Sequence, residues 1–351
     1  MMGKLKKLTG YRLFLPLSCL IIVLLINLIT TPTFFKITIN NGVLYGYIID
    51  VINRASELVV LAVGMTLVVS ASAGTDISVG AVMAVSAAVC TRVLAGGEVS
   101  VNEYANPYIL AVLAALAVAV VCGGFNGFLV AKLKIQPMVA TLILFTAGRG
   151  TSQLVTNGQI TYIRVDGYKL LGNNIPGIPI PTPIFVAVIV VALTYILLNK
   201  TAMGMYIQSV GINERASRLV GLKSVKIIWM AYAFCGLCAG IAGLVASSRI
   251  YSADANNIGL NMELDAIAAV ALGGNSLGGG RFSLLGSVIG AYTIQALTTT
   301  LYAMSVPADQ IPVYKAIVVI LIVAVQSEEL KKFRKRLASR HASGNVEGGV
   351  A

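Results

Sequence analysis

A carboxylate inside an apolar stretch is the first residue of this chain whose type and position could do chemistry. Asp76 stands in AGTDISVG, residues 73–80, between two long apolar runs, and Thr75 and Ser78 place hydroxyl groups beside it. A charged side chain at the centre of a bilayer costs about 2.5–3.5 kcal/mol on insertion scales, so a carboxylate there needs polar partners or water. The segment therefore either lines a path for a hydroxyl-rich solute or caps the following helix through Asp76 or Ser78.

A cation lies in another apolar stretch. Arg149 stands in TAGRG, and Gln153 follows one helical turn later, so the two side chains share a helix face. Arg149 either pairs with Asp76, lines a cavity, or extends its long side chain to the head groups. Asn126 in GGFNG and Asn275 in GGNSLGGG add amide groups. The predicted polar path is lined by Thr75, Asp76, Ser78, Asn126, Arg149, Gln153 and Asn275.

Other motifs that could carry chemistry lack essential parts. GGNSLGGGRF, residues 273–282, has no Gly-Lys-Ser/Thr, so it does not match the phosphate-binding loop of nucleotide-binding proteins. Cys235 and Cys238 form a C-x-x-C inside an apolar run without further ligands, which favours packing. The single histidine, His341, lies in a polar tail. The sequence therefore predicts no catalytic residue, no metal site and no cofactor.

The composition predicts the elements that must position these residues. With 57% hydrophobic and 11% charged residues among 351, the chain is too apolar for a soluble domain. About 20 apolar residues suffice for a helix to cross a bilayer. We therefore predict an all-α, multi-pass membrane protein of about ten spans. These are residues 13–31, 55–72, 78–95, 107–131, 137–156, 182–199, 227–248, 261–272, 284–304 and 312–326.

The positive charges predict the orientation. The net charge is +12, and most of the 26 Lys and Arg lie in segments that a cytoplasmic N-terminus would leave inside. Since basic residues accumulate on the cytoplasmic side of membrane proteins, both termini are expected there, including the basic tail at 327–351. The lipid bilayer, rather than a nucleic acid, accounts for this charge.

One long polar segment, residues 200–226, separates the sixth and seventh spans and is predicted to be a cytoplasmic coupling loop. Residues 211–221 within it predict a short amphipathic helix that begins at Asn213 and ends at Gly221. One face carries Ile212, Ala216, Leu219 and Val220, and the opposite face carries Glu214, Arg215 and Arg218. Glu214 and Arg218 are spaced to support each other. Such a helix is a candidate contact for a cytoplasmic partner.

Spans two to five and seven to ten are candidates for an internal repeat. Each set contains a glycine-broken segment with a nearby acid, Asp76 in the first and Asp265 before GGNSLGGG in the second. Broken helices in paired halves are typical of transporters. Glu263 and Asp265 also lie in the first turn of a helix, where its dipole favours carboxylates without any catalytic role.

Taken together, the motifs resemble those of the membrane permease of ribose-type monosaccharide ATP-binding-cassette (ABC) importers, and most of all the galactofuranose-importer permease. The stretches that carry this resemblance are AGTDISVGAVMA (73–84), residues 123–150, GINERASRLVG (211–221), residues 253–282 and GSVIGA (286–291). The family usually has Gly-Gly-Ile-Asp-Leu-Ser-Val-Gly at 73–80. Here Ala73 and Thr75 differ, and Thr75 adds a hydroxyl that could change the sugar preference.

The resemblance implies a non-catalytic translocation subunit with the ten-helix fold of the vitamin-B12 importer (type II), in the bacterial inner membrane. It implies separate ATPase subunits, a second permease, identical or different, an extracytoplasmic sugar-binding protein and a monosaccharide substrate. The family's coupling helix falls on Asn213, Glu214, Arg215, Ala216, Arg218 and Gly221. Ribose, fructose and xylose are alternative substrates. A carrier driven by an ion gradient is the alternative class, with Asp76 as its candidate ion-relay group.

Overall fold

The computed structural model describes residues 13–31, 33–40 and 42–326, and most of this part is helical. In it the helices are α1 (Phe14–Thr30), α2 (Tyr47–Ser72), α3 (Val79–Ala95), α4 (Tyr108–Ala131), α5 (Pro137–Val155), α6 (Asp166–Lys169), α7 (Thr182–Lys200), α8 (Met203–Ile212), α9 (Glu214–Leu219), α10 (Ser224–Ile250), α11 (Met262–Leu272), α12 (Leu284–Ala303) and α13 (Ile311–Gln326). The strands are β1 (Thr38–Asn40), β2 (Val43–Tyr45), β3 (Ser100–Val101), β4 (Thr161–Ile163) and β5 (Ser252–Ala253). The basic tail at 327–351, with His341, lies outside the described residues.

Helices occupy the positions of the predicted spans. Five of them, α2, α4, α7, α10 and α12, are long and apolar enough to cross a membrane, and α3 is a shorter apolar helix. The chain is therefore a helical membrane protein with five candidate spans in its described part. Whether the remaining predicted spans also cross the membrane stays a prediction.

The start of α2 differs from the prediction. The helix begins at Tyr47, eight residues before the predicted span, because its early charged residues do not end it. Nη2 of Arg249 on α10 donates to the carbonyl oxygen of Asn53 at 3.1 Å and lies 3.1 Å from Oε1 of Glu57, which is partly buried. A charge that is neutralised by a distant partner is compatible with a helix that continues, and sequence spacing does not reveal that partner.

Helices α2 and α10 form the centre of the bundle. In the most apolar 18-residue stretch of each helix, 89% of the α2 stretch and 72% of the α10 stretch are buried. Glycines on α4 and α10 allow close contact between these two helices. A β-carbon at Gly236 would lie 2.4 Å from the carbonyl oxygen of Ala119, and one at Gly123 would lie 2.4 Å from that of Tyr232. The backbones of α4 and α10 therefore touch where side chains are absent.

Three short strands join the ends of helices opposite the 200–226 segment. β3 follows α3, β4 follows α5 and β5 follows α10, and they form one sheet in the order β3-β4-β5. β3 and β4 run parallel, while β4 and β5 run antiparallel. A separate hairpin, β1–β2, precedes α2. The sheet holds the ends of three helices side by side.

The coupling segment is more structured than predicted, and the predicted single helix over 211–221 is wrong in its first residues. Gly211 and Ile212 end α8, which the sequence analysis missed although Gly204, Ile207 and Val210 form its buried face. The chain then breaks at Asn213, which adopts extended backbone angles, and α9 begins at the next residue. The predicted cap is confirmed, because Oδ1 of Asn213 accepts from the amide of Ala216 at 3.0 Å.

Candidate functional site

The segment that joins α2 to α3, residues 73–78, is here named the Asp76 linker. It begins at Ala73, which ends α2 in the left-handed conformation with φ of 52°. Gly74 lies against Pro137, the first residue of α5, whereas Ala81 lies against Gly148 of the same helix. Since a helix rises 1.5 Å per residue, the chain climbs about 16 Å along α5 between these contacts. The linker therefore runs within the bundle rather than on its rim.

The side chains of the Asp76 linker form a buried polar cluster with α4. Oδ1 of Asp76 accepts from the amide and the hydroxyl of Ser78 at 2.9 and 2.6 Å. Nδ2 of Asn126 donates to Oγ of Ser78 at 2.8 Å and more distantly, at 3.5 Å, to Asp76. All three residues are at least 98% buried, and Thr75 is 92% buried beside them. The structure therefore brings together four of the predicted path residues.

The capping alternative for this cluster is only partly correct. Ser78 occupies the N-cap position of α3, but its side chain makes no capping hydrogen bond. Asp76 instead accepts a hydrogen bond from the backbone amide of Ser78, the residue directly before the first residue of α3. Every hydrogen bond of Asp76 falls on Oδ1, so Oδ2 accepts none from the described residues. This oxygen retains its capacity to bind a ligand hydroxyl.

Arg149 does not pair with Asp76. Its Nη1 donates to the carbonyl oxygens of Ala255 and Ile258 at 3.1 and 2.5 Å. On the same face of α5, Nε2 of Gln153 donates to Oδ1 of Asn256 at 2.6 Å. Both predicted path residues therefore hold the segment that follows β5, and Arg149 is directed into the protein rather than toward head groups.

Glu263 joins this site, and sequence reasoning assigned it only to a helix start. It is 4% exposed, and its Oε2 would lie 2.2 Å from a β-carbon at Gly80. Oε2 of Glu263, Nη2 of Arg149 and Oδ1 of Asn126 are buried without a hydrogen-bond partner among the described residues. Buried polar atoms normally have partners. These three surround the start of α3, together with Oδ2 of Asp76.

Asn275 belongs to a different group. It lies in the segment between α11 and α12, residues 273–283, here named the Asn275 linker. Its Nδ2 donates to Oγ of Ser287 at 2.7 Å and to the carbonyl oxygens of Val270 and Ser283 at 3.2 and 3.3 Å. Its Oδ1 accepts from the amide of Ser283 at 2.5 Å. The amide therefore fastens its own linker and makes no hydrogen bond to the other predicted path residues.

The two linkers and the coupling segment meet through their backbones. The amide of Gly280, in the Asn275 linker, donates to the carbonyl oxygen of Ser70 at 3.0 Å, near the end of α2. A β-carbon at Gly211, near the end of α8, would lie 1.7 Å from that same oxygen and 2.7 Å from the nitrogen of Gly280. Only glycine fits at this three-way contact. A β-carbon at Gly279 would lie 3.0 Å from Cα of Ala73, so the two linkers also touch each other beside it.

The charged face of α9 is occupied within the protein. Glu214 accepts hydrogen bonds from Lys134, Arg218 and Ser224, and Nε of Arg218 donates to Ser224 at 2.7 Å. Burial alone would raise the pKa of Glu214, but the hydrogen bonds from Lys134 and Arg218 hold it below its usual value. These contacts attach α9 to α10 and to the turn before α5.

The apolar face of α9 is open. Leu219, Val220 and Ile212 are 89%, 78% and 66% exposed. Arg215 and Ala216 are exposed as well, and Gly221 follows the helix with φ of 87° in open space. Leu219 ends α9, whereas Val220 follows it and Ile212 ends α8, so the exposed apolar side chains lie at and around the two ends of one short helix. Such a group of exposed apolar side chains indicates a contact surface for another protein.

The sequence analysis also missed a second ion pair between helices. Nζ of Lys315 on α13 lies 2.6 Å from Oδ2 of Asp265 on α11, with both side chains largely buried. Both charged residues lie within predicted spans, which marks each as unusual. Their separation in the sequence does not indicate that they form a pair. The described residues contain no cluster of three potential metal ligands.

Polar linkers that interrupt the helices inside a membrane protein are typical of transport proteins. The chain belongs to the family described as branched-chain amino acid transport system / permease component, which it matches over residues 47–326. It is therefore a permease subunit and a multi-pass protein of the bacterial inner membrane.

Individual relatives are sugar permeases. The chain is 43% identical over 327 residues to the galactofuranose transporter permease protein of Escherichia coli K12, covering 92% of each chain. It is 37% identical to the fructose import permease protein of Bifidobacterium longum, covering 96% of this chain and 94% of the relative. It is 35% identical to the ribose import permease protein of E. coli K12, covering 89% and 93%. No solved structure matches the chain significantly.

Proposed function

We propose that the chain is the translocation subunit of an ABC importer for a monosaccharide, galactofuranose or a closely related sugar. The identity to the galactofuranose relative over nearly the whole chain supports this substrate, and fructose and ribose follow with lower identities. The proposal includes ten spans, the type II fold and cytoplasmic termini. It assigns ATP hydrolysis to separate subunits, so this chain is not an enzyme.

The observation that carries the proposal is the set of buried polar atoms without partners around the start of α3. Oδ1 of Asn126, Nη2 of Arg149 and Oε2 of Glu263 are such atoms, and Oδ2 of Asp76 accepts no hydrogen bond from a described residue. An unsatisfied buried polar atom costs about 1–3 kcal/mol. A passing sugar, whose hydroxyl groups both donate and accept, offsets that cost. Thr75, Ser78 and Gln153 extend this path.

Asn275 differs from the other predicted path residues, since its amide is engaged within its own linker. It stays in the proposed path as the group that positions the Asn275 linker.

The exposed face of α5 is the proposed contact with a second permease. Thr146, Thr151 and Gln153 are exposed on a helix that lies within a predicted span, and Gly150 faces open space. Polar side chains in the membrane normally face protein or water rather than lipid. The path then lies between two permeases, which are either identical or different. A sugar-binding protein on the outer side completes the proposed importer.

The apolar face of α9 is the proposed docking surface for the ATPase, and the charged face holds α9 in place. Movement of the ATPase displaces α9 and α8. Because Gly211 touches both Ser70 and Gly280, this displacement reaches both linkers. Asn213, Glu214, Arg215, Ala216, Arg218 and Gly221 are the coupling residues in this proposal.

Reconstitution tests the proposal. The chain is placed in liposomes with its ATPases, second permease and binding protein, and uptake of galactofuranose, ribose, fructose and xylose is compared. We expect ATP-dependent uptake with galactofuranose preferred. Uptake by this chain alone under an ion gradient would show a secondary carrier instead.

A substitution separates docking from folding. Leu219→Glu should lower both ATPase co-purification and uptake at least about tenfold, because buried anchors dominate interface energies. Val99→Glu, at an exposed apolar position between α3 and β3 and outside the candidate spans, is the control and should retain both activities. Normal co-purification of the Leu219 variant would remove α9 from the interface.

A further inference from the structure

A crevice of about 380 Å³ opens between the end of α4 and the start of α10, and it has no part in the path or in the α9 surface. We name it the α4–α10 crevice. Its lining includes Gly127, Phe128, Lys132, Lys223, Lys226 and Trp229. The lysines lie at helix ends, and the apolar residues lie further along both helices.

The walls of the crevice are apolar and shaped by glycine. A β-carbon at Gly127 would lie 3.0 Å from Cα of Trp229, and one at Gly124 would lie 3.3 Å from its indole ring. The indole therefore lies flat against α4, yet Trp229 is still 41% exposed. Phe128, which also lines the crevice, is 43% exposed. Tryptophan and neighbouring aromatic rings at a helix end are typical of the membrane–water interface.

The rim of the crevice carries positive charge that the protein does not neutralise. Lys132, Lys223 and Lys226 are exposed, and none of them forms an ion pair with a described carboxylate. Glu214, the acid of the adjoining α9, is already shared by Lys134 and Arg218. The start of α10, a helix of 27 residues, adds the positive end of its dipole.

We propose that the α4–α10 crevice binds an anionic phospholipid of the cytoplasmic leaflet. The phosphodiester lies among the three lysines, and an acyl chain lies along Trp229 and Phe128. A zwitterionic lipid would gain less from three cations, and a water-soluble phosphate would leave the apolar walls empty. Basic pockets at the cytoplasmic ends of membrane helices are suited to anionic head groups.

Trp229 supplies the probe, because it is the only tryptophan of the chain. The purified full chain is placed in phosphatidylcholine vesicles that contain either brominated phosphatidylglycerol or brominated phosphatidylcholine at equal mole fraction. Bromine on the acyl chain quenches indole fluorescence on contact. We expect the anionic lipid to compete for the crevice about a hundredfold better, since each of the three lysines near the surface contributes roughly a fivefold factor.

Charge variants separate the crevice from general attraction to the surface. K223Q/K226Q should reduce the preference to about fivefold, the contribution of the remaining Lys132, whereas K200Q/R281Q, which removes two exposed basic residues away from the crevice, should preserve the full preference. Equal quenching by both lipids in the natural chain, or an equal loss in both variants, would overturn the proposal. So would unchanged quenching of K223Q/K226Q, and if that variant also lost ATPase co-purification, the lysines would belong to a protein interface instead.

Discussion

The Asp76 linker and the Asn275 linker, one in each of the two predicted halves, solve the same problem with different chemistry. Each interrupts a run of apolar helices and must satisfy backbone polar groups away from water. Asn275 donates and accepts, so one amide closes four hydrogen bonds around its linker. Asp76 only accepts, and its bonds all fall on one oxygen. The comparison indicates that the first linker keeps binding capacity for a ligand, whereas the second is built for position.

Asn275→Asp should produce the largest loss of stability. The aspartate side chain can only accept hydrogen bonds, so it cannot replace those that the Asn275 amide donates within its linker. Three acceptors would each lose one of their donors, and a charge would enter a site that is 8% exposed. We expect a loss of about 3 kcal/mol or more in the free energy of unfolding, measured by denaturant titration in detergent. Asn256→Asp makes the same change at an exposed position and should cost almost nothing. Equal stability of the two variants would contradict the difference between the linkers.

Asp76→Asn should have a smaller effect on stability and a clear effect on transport. The amide oxygen can still accept from Ser78, but the free carboxylate oxygen becomes a donor. We expect the free energy of unfolding to change by at most about 1 kcal/mol, while sugar uptake falls at least about tenfold. Asp50→Asn, at an exposed position in the first turn of α2, should retain full uptake. Normal uptake by the Asp76 variant would show that the Asp76 linker, like the Asn275 linker, has only a structural role.

The smallest effect concerns the segment against which both linkers lie. The pKa of Glu214 is lowered in the folded chain, so its contribution to stability is present above the pKa of the unfolded chain and is lost as pH falls through the folded value. We expect the attachment of α9 to be constant from pH 7 to about 5 and to weaken only below about 4.5, the ordinary glutamate value. Glu214→Gln should remove this dependence, with a change in melting temperature of at most about 2 °C. A transition near neutral pH would show that another group controls α9.

Local sequence patterns were sufficient to predict where the helices lie. They were insufficient to predict which side chains of different helices contact each other. Apolar runs predicted where helices lie, and the residue type at Asn213 predicted its cap, because both depend on neighbours in sequence. The start of α2 was missed because polar residues, among them Asn53, precede the apolar run, and the donor to Asn53 is Arg249, far away in the chain. Arg149 was singled out correctly as unusual, but its carbonyl acceptors lie more than a hundred residues later. Long-range partners of this kind leave no spacing that a single sequence reveals.

The β3-β4-β5 sheet restricts how the far side of the bundle can open. The amide of Tyr162 donates to Val99 at 2.7 Å, that of Arg164 to Val101 at 2.9 Å, and that of Ile163 to Tyr251 at 2.8 Å. Separation of α3, α5 and α10 at this end would break these main-chain bonds together. Because these bonds hold the three helix ends together, we expect any opening of the bundle to be smaller at this end than at the end where Gly211, Ser70 and Gly280 meet.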